Sequence, residues 1–140
     1  MKFFCILLIT FFIGQVSAYP FSDAFVASAR SDYAAELKII RPLALKGEAW
    51  AQFFLGEKYL EGKGVVKNDV EAVKWYRLAA VQGNESAQVN LGVMYNNGQG
   101  VLQDFAEAVR WYRLAALQGN ERAQSNLGAM YGEGRGVLQD

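Results

Sequence analysis

The feature that most limits the fold of this chain is a repeat in its amino-acid sequence. The segment GNESAQVNLGVMYNNGQGVLQDFAEAVRWYRLAALQG begins at Gly83, and similar segments begin 36 positions earlier at Gly47 and 36 positions later at Gly119. Residues 32–47 resemble the second half of one more unit. A unit of this length cannot bury its apolar surface alone, so neighbouring units must stack to form a core. The repeat therefore predicts a solenoid.

Each unit has the pattern of two helices. Ala87, Leu91 and Tyr95 recur every four residues, which is one helical stripe. Gly98 then favours a helix end, and Asp104 with a glutamate three residues later is the pattern of a capping box at the next helix start. We therefore expect an all-α fold of stacked antiparallel helix pairs, with helices near 33–46, 49–60, 69–82, 85–96, 105–118 and 121–132.

The repeated positions also predict how the helices pack. Gly56, Gly92 and Gly128 directly follow the leucines of the stripe. A residue without a side chain lets the partner helix approach closely, and the large aromatic side chains of that helix fill the space. Trp75 and Trp111 recur at the period of the repeat, so we assign both to the core.

The first residues indicate a secretory signal peptide. Lys2 precedes the apolar run from Phe3 to Ile13, and small side chains lead up to Ala18, after which we expect cleavage. The alternative is a membrane anchor, but a bilayer-spanning helix needs about 20 apolar residues. We assign 1–18 as signal peptide and 19–31 as an N-terminal linker, and expect a secreted or periplasmic protein without a stable membrane span after cleavage.

Composition excludes several classes of function. The 14 basic and 14 acidic side chains balance, whereas a nucleic-acid-binding protein needs a basic surface. The chain has no histidine, and its single cysteine, Cys5, lies within the predicted signal peptide. The mature chain therefore lacks the commonest general base and cannot form a disulfide or a thiolate metal site. We expect no catalytic, cofactor-binding or metal-binding residues and no nucleic-acid partner.

The pattern Ala-Gln-x-x-Leu-Gly-x-x-Tyr-x-x-Gly-x-Gly-Val-x-x-Asp, followed by Ala-x-x-Trp-Tyr-x-x-Ala-Ala-x-x-Gly, resembles the Sel1-like repeat, a relative of the tetratricopeptide repeat. The unit from 83 to 118 matches it throughout. By this resemblance, residues 32–140 form a repeat domain with a partial repeat at 32–46, repeats at 47–82 and 83–118, and an incomplete repeat at 119–140. The resemblance implies an α-solenoid that acts as an adaptor or scaffold for a protein or peptide partner.

In tetratricopeptide relatives the first helix of each pair lines a concave binding face. Alignment on the Leu-Gly pair transfers that face to Trp50, Phe53, Glu57, Val89, Val93, Asn96, Asn97, Arg122 and Ser125. These positions vary between copies while the packing positions repeat, as expected of a recognition surface. Trp50 and Phe53 could anchor a peptide, or Trp50 could instead cover the degenerate first repeat as part of an N-terminal cap.

Two other functions stay open at this stage. Some Sel1-like proteins carry a β-lactamase or penicillin-binding label, but no serine here is followed by lysine three residues on. A purely structural spacer is the other alternative. Because Asp140 aligns with the cap residue Asp104, we also expect the sequence to be a truncated product or a fragment of a longer repeat array, with no partner helix on one side of Leu127.

Overall fold

The computed structural model describes residues 20–137, and this part of the chain is built from α-helices without strands. The helices are α1 (Pro20–Ala29), α2 (Tyr33–Leu45), α3 (Ala49–Glu61), α4 (Asp69–Val81), α5 (Glu85–Asn97), α6 (Phe105–Leu117) and α7 (Glu121–Gly132). The predicted all-α fold is confirmed, and all six predicted helices are present within one residue of the expected bounds. The predicted signal peptide and Asp140 lie outside the described residues.

Contacts divide the chain at Ile39 into two units. The first contains α1, which lies within the segment assigned as a linker and which the repeat pattern did not predict. Pro20 occupies the first helical position, where its fixed φ is favourable, and Asp23 lies in the first turn. Because α1 has no copy elsewhere in the chain, a search for periodicity could not find it.

The second unit contains the end of α2 and helices α3–α7, in which the repeat is realised as alternating helix types. We call α3, α5 and α7 the first helices, and α2, α4 and α6 the second helices. Every first or second helix from α4 onward begins at an Asn or Asp whose side chain accepts a hydrogen bond from a backbone N–H three residues later. For Asp104 this bond, from the N–H of Glu107, is 3.0 Å long.

Only half of the predicted capping box forms at α6. The backbone N–H of Asp104 donates to the carbonyl oxygen of Tyr95 at 2.9 Å rather than to a glutamate side chain. The Glu107 carboxylate pairs with Arg110 instead, at 3.1 Å. The prediction that the Glu107 side chain accepts from the Asp104 N–H was therefore wrong. The preceding helix supplies the carbonyl oxygen of Tyr95 as the acceptor, and the local sequence pattern does not reveal it.

The core follows from close contact between first and second helices. A methyl group at Gly56 would lie 2.8 Å from Cδ1 of Tyr76, and Gly92 lies against Tyr112 in the same way. Without a Cβ, each glycine lets the phenol ring sit on the backbone of the first helix. Trp111 is only 4% exposed, which confirms its assignment to the core.

A ladder of glutamines joins successive pairs. Gln52 and Gln88 are buried, and each donates to the carbonyl oxygen of an alanine in the preceding second helix. Each also accepts a hydrogen bond at its Oε1 from the next second helix, where Gln82 donates to Gln52 at 2.8 Å and Gln118 to Gln88 at 2.9 Å. These bonds satisfy buried polar groups and fix the register between pairs.

Candidate partner-binding site

The face that sequence analysis assigned to a partner runs along the first helices, and we call it the first-helix face. One polar contact on this face joins neighbouring repeats. Nη1 of Arg122, at the start of α7, donates to Oδ1 of Asn90 on α5 at 3.2 Å. Arg122 is exposed and Asn90 is half-buried. This hydrogen bond thus links the first helices α5 and α7.

The hydroxyl of Tyr76 lies at the same place. Burial raises the pKa of Tyr76 well above its ordinary value, and the Glu57 carboxylate raises it further. The nearby Asn90 side chain and the charge of Arg122 act in the opposite direction and lower this pKa. The charges of the predicted residues Glu57 and Arg122, which belong to different repeats, therefore act on the Tyr76 hydroxyl in opposite directions.

Tyr112 repeats this arrangement one unit further along. Burial raises the pKa of Tyr112, whereas the charge of Arg122 and a hydrogen bond with Asn126 lower it. Arg122 therefore acts on both tyrosine hydroxyls. The resulting surface has carboxylates at its α3 end and a guanidinium at its α7 end, with amide side chains between them.

An aromatic cluster lies at the α3 end. Trp50 contacts Phe54 edge-on at 6.3 Å between ring centroids, and Phe53 contacts Phe54 at 5.3 Å. Phe53 also packs on Tyr76 at 5.9 Å, so part of its ring belongs to the core. Trp50 and Phe53 are both half-buried. Each offers an apolar surface held in place by its neighbours.

Val89 occupies a different environment from the one expected. It is 1% exposed and lies in a core cluster with Val109 and Tyr112, against which Val93 is partly buried. The same cluster contains Ala123 and Met130 of α7, so α6 and α7 together cover this side of α5. Val89 is therefore unavailable to a partner in this arrangement.

Asn96 and Asn97 lie at the C-terminal end of α5, whereas Ser125 lies near the middle of α7. The Asn96 Nδ2 group donates to Oδ1 of Asn97 at 3.1 Å, and the Asn96 carbonyl oxygen accepts from Gln103 at 2.8 Å. Asn97 and Ser125 are exposed. Asn96 and Asn97 thus form a hydrogen-bonded pair at the end of α5.

Sequence reasoning missed four residues of this face. They are the asparagines Asn90 and Asn126 and the hydroxyl ends of Tyr76 and Tyr112. Their signal was present, because an asparagine recurs at the repeat period directly before the Leu-Gly pair. Recurrence suggested packing, whereas these side chains pack at one end and present polar atoms at the other.

Within residues 20–137, no three His, Cys, Asp or Glu side chains come close enough together to hold a metal ion. No helix in the same range has both the length and the apolar character that a bilayer span requires.

Comparisons with known proteins agree with the repeat. The Sel1 repeat family matches residues 51–84, 85–120 and 121–140. Each match covers one first helix, and the first two also cover the second helix that follows. A search of curated proteins found no match.

Solved structures similar to this chain are also repeat proteins. A protective antigen of uropathogenic Escherichia coli with an SLR fold is 44% identical over 77% of this chain, with a TM-score of 0.75. A Sel1 repeat protein from Oxalobacter formigenes is 32% identical over 89% of this chain, with a TM-score of 0.81. Cysteine rich protein B of Helicobacter pylori is 25% identical over 66%, with a TM-score of 0.63. The chain spans 23% and 49% of the length of the first two proteins.

Proposed function

Since the chain belongs to the Sel1 repeat family, whose members commonly mediate protein–protein interactions, we propose that it is an adaptor without catalytic activity. Its first-helix face binds a segment of a partner protein. The partner chemistry that fits this face is a peptide with an apolar side chain for Trp50 and Phe53 and a carbonyl or carboxylate oxygen for Arg122.

The observation that carries this proposal is the hydrogen bond from Arg122 to Asn90 at 3.2 Å. It ties an exposed guanidinium on α7 to the neighbouring first helix α5. A guanidinium has more donors than one acceptor can use. A donor that is already oriented binds a partner at a lower entropic cost than a free side chain does.

The aromatic end supplies the apolar part of the contact. Rigid aromatic side chains are the commonest anchors of protein interfaces. The edge-on contact of Trp50 with Phe54 at 6.3 Å fixes its ring without burying it completely. Glu57 lies one helical turn after Phe53 on α3, and its carboxylate favours a basic or backbone donor in the partner peptide.

The test is capture of partners from an envelope extract. We expect Trp50→Ala/Phe53→Ala and, separately, Arg122→Ala to lose partners that the wild-type chain retains. Val81→Ala is the matched control, because Val81 is an exposed apolar residue of a second helix. Circular dichroism identifies variants that fail to fold. The Phe53→Ala change carries the greater risk of misfolding, because Phe53 packs on Tyr76. Unchanged partners for folded variants would favour the structural spacer.

The proposed absence of catalysis has its own measurement. It is supported by the lack of histidine and of a Ser-x-x-Lys sequence in the chain. The purified protein should hydrolyse a chromogenic β-lactam no faster than buffer does. Turnover that rises with protein concentration would favour the enzyme alternative.

The proposed site of action is outside the cytoplasm, in the periplasm or the medium. It is supported by the charged start, apolar run and small residues that end at Ala18. Mass spectrometry of the protein from the envelope fraction should give a chain that begins at Tyr19. A chain that keeps residues 1–18 would contradict cleavage.

A further inference from the structure

The solvent-facing side of the second helices combines aliphatic and basic side chains. On α4 the exposed residues are Val70, Lys74, Arg77, Leu78 and Val81. Because successive residues of a helix are about 100° apart, all five fall within an arc of about 100°. We call these five residues the outer face of α4. The acidic residues of α4 are not among them.

Helix α6 has the same outer face. Its exposed residues stand at the five equivalent positions, 36 residues later, and are Ala106, Arg110, Arg113, Leu114 and Leu117. Lys74 is replaced by arginine and Val81 by leucine, so the identities change while the basic or aliphatic character is kept. Packing in the core does not explain this constancy, because the positions are exposed.

The degenerate helix α2 keeps part of the pattern. It has two isoleucines in place of the Trp-Tyr pair, yet Arg41 and Leu45 stand at the positions of Arg77 and Val81, and both are exposed. Leu45, Val81 and Leu117 are 71%, 67% and 85% exposed. The outer face is thus retained in a helix that has lost the aromatic residues of the core, which indicates that the two sets of positions are independent.

Two arginines of the outer faces are held in place without being neutralised. The Nε atom of Arg113 donates to the hydroxyl of Tyr131 at 2.9 Å, and Arg77 donates to the hydroxyl of Tyr95 in the equivalent position. Each guanidinium also lies over the ring of that tyrosine. A neutral hydroxyl leaves the positive charge in place, and the guanidinium has further N–H donors for a ligand.

Acidic side chains border the outer faces or lie on other helices. Asp69, Glu71 and Glu107 are half-buried in the first turns of α4 and α6. The two glutamates pair with Lys74 and Arg110 at 3.5 and 3.1 Å. The exposed acidic residues of α3–α7 all lie on first helices, and they are Glu61, Glu85 and Glu121. The balanced composition therefore conceals second helices whose exposed charges are all basic.

An apolar groove of about 330 Å³ lies within the outer face of α4. It is bounded by α4 and the loop after α5, and its lining includes Val70, Val73, Leu78 and Val101 together with Lys74 and Arg77. Such a groove suits an apolar chain that ends in an anionic group. Because helices of the repeat lie before and after α4, its outer face does not depend on where the sequence ends.

We propose that the outer faces of α4 and α6 bind the surface of a lipid bilayer that contains anionic lipid. The aliphatic side chains enter the boundary between headgroups and acyl chains, while the lysine and arginine side chains bind headgroup phosphates. On α4 the groove accepts part of an acyl chain below a phosphate bound by Lys74 and Arg77. This surface is separate from the first-helix face and does not depend on the proposed function.

The way in which the outer faces repeat favours a lipid surface over a protein partner. A bilayer presents the same headgroup and acyl chemistry at every point, so a surface that binds it needs the same character in each repeat. The outer faces meet this condition, since each position is basic in both helices or aliphatic in both. The first-helix face differs, because its positions vary in character between copies, as expected of a surface that recognises one protein.

The test is co-sedimentation of the purified protein with lipid vesicles. We expect binding to vesicles of phosphatidylglycerol and phosphatidylethanolamine, and little binding to vesicles of phosphatidylcholine alone. Binding should weaken as the salt concentration rises, because salt screens exposed charges. All proteins compared are purified from the envelope fraction and share one N-terminus, checked by mass spectrometry, so that the apolar run at 3–13 contributes equally to each or to none.

The basic part of the surface is tested by Arg77→Gln. We expect it to weaken binding to the anionic vesicles by roughly fivefold, as loss of one basic residue at a membrane surface does. Arg122→Gln is the matched control, because it removes the same charge from an exposed position on the first-helix face. It should bind vesicles as the wild type does.

The aliphatic part is tested by Val81→Ser/Leu117→Ser. Both side chains are exposed, so the variant should keep its circular dichroism spectrum and melting temperature. We expect roughly tenfold weaker binding to the anionic vesicles with an unchanged dependence on salt, since the basic residues are retained.

Three results would overturn the proposal. Equal binding of the wild type to anionic and neutral vesicles, or to neither, would remove the anionic surface as the ligand. Equal losses in Arg77→Gln and Arg122→Gln would assign the binding to net charge instead of the outer face. A wild type that ignores vesicles, together with a protein that the wild type captures and Val81→Ser/Leu117→Ser does not, would assign the outer faces to a protein partner.

Discussion

Gly92 on α5 lies against the phenol ring of Tyr112 on α6, so closely that a methyl group at Gly92 would be 2.6 Å from Cε1 of that ring. Tyr112 is 3% exposed and cannot swing into solvent. Gly92→Ala should therefore lower the free energy of unfolding by about 1–3 kcal/mol through overpacking, although alanine itself favours a helix by about 1 kcal/mol. Urea unfolding followed by circular dichroism measures the difference.

Gly128→Ala is the matched control, at the same register position two helices further along. No described atom lies within 4 Å of the added carbon, so only the helix propensity changes. We expect unchanged stability or a gain of up to about 1 kcal/mol. A similar loss at both glycines would mean that the ring contact does not decide the cost at Gly92.

Asp104→Ala should remove the side-chain acceptor that caps α6. The Oδ1 atom of Asp104 accepts from the N–H of Glu107 at 3.0 Å, and loss of such a cap costs about 1 kcal/mol. Asp104→Asn should keep most of the stability, because Asn68 caps α4 in the same geometry at 3.1 Å. Equal losses in the alanine and asparagine variants would indicate that the carboxylate charge, rather than the hydrogen bond, is what matters.

Most of the fold can be predicted from the sequence, because each packing contact between first and second helices occurs in more than one repeat. Gly56 with Tyr76 and Gly92 with Tyr112 are two copies of one contact, so a single consistent helix arrangement satisfies both. Helix α1 has no such copy, and the periodicity says nothing about it. A feature that occurs once can be predicted only from local propensity, which is a weaker signal.

The candidate site was only partly predictable. Alignment located Arg122 and Glu57. Helical spacing predicts the direction of a side chain but does not predict whether a neighbouring helix covers it. Val89 was therefore placed on an open face although α6 covers it. Asn90 was missed for the opposite reason, since its recurrence as Asn126 indicated packing while its amide reaches Arg122.

Alkaline pH should destabilise the chain through its buried tyrosines. Burial raises the pKa of Tyr76 and Tyr112 in the folded protein, while in the unfolded chain a tyrosine titrates at about 10. Above that pH the unfolded state loses protons that the folded state retains, so the free energy of unfolding falls as pH rises. The stabilising contribution is therefore complete below pH of about 10 and is lost above it.

The substitution Tyr76→Phe/Tyr112→Phe provides the check on that pH dependence. It removes both hydroxyls, so the free energy of unfolding should fall less steeply with pH than in the wild type. Urea unfolding at a series of alkaline pH values gives the two slopes. Identical slopes would mean that other groups cause the alkaline loss.

Extension of the chain by one second helix should raise its melting temperature. A variant that continues after Asp140 with the sequence of residues 105–118 supplies Trp, Tyr and Gln in the register that α6 has toward α5. The added helix should cover Leu127 and Gly128, whose equivalents Leu91 and Gly92 are buried by α6. Burial of apolar surface at this seam stabilises the folded state, and thermal unfolding by circular dichroism measures the gain.

Gly128→Ala in the extended variant should remove most of that gain, because the added methyl group obstructs the tyrosine ring. Equal melting temperatures for the original and extended chains would show that α7 does not accept a further helix.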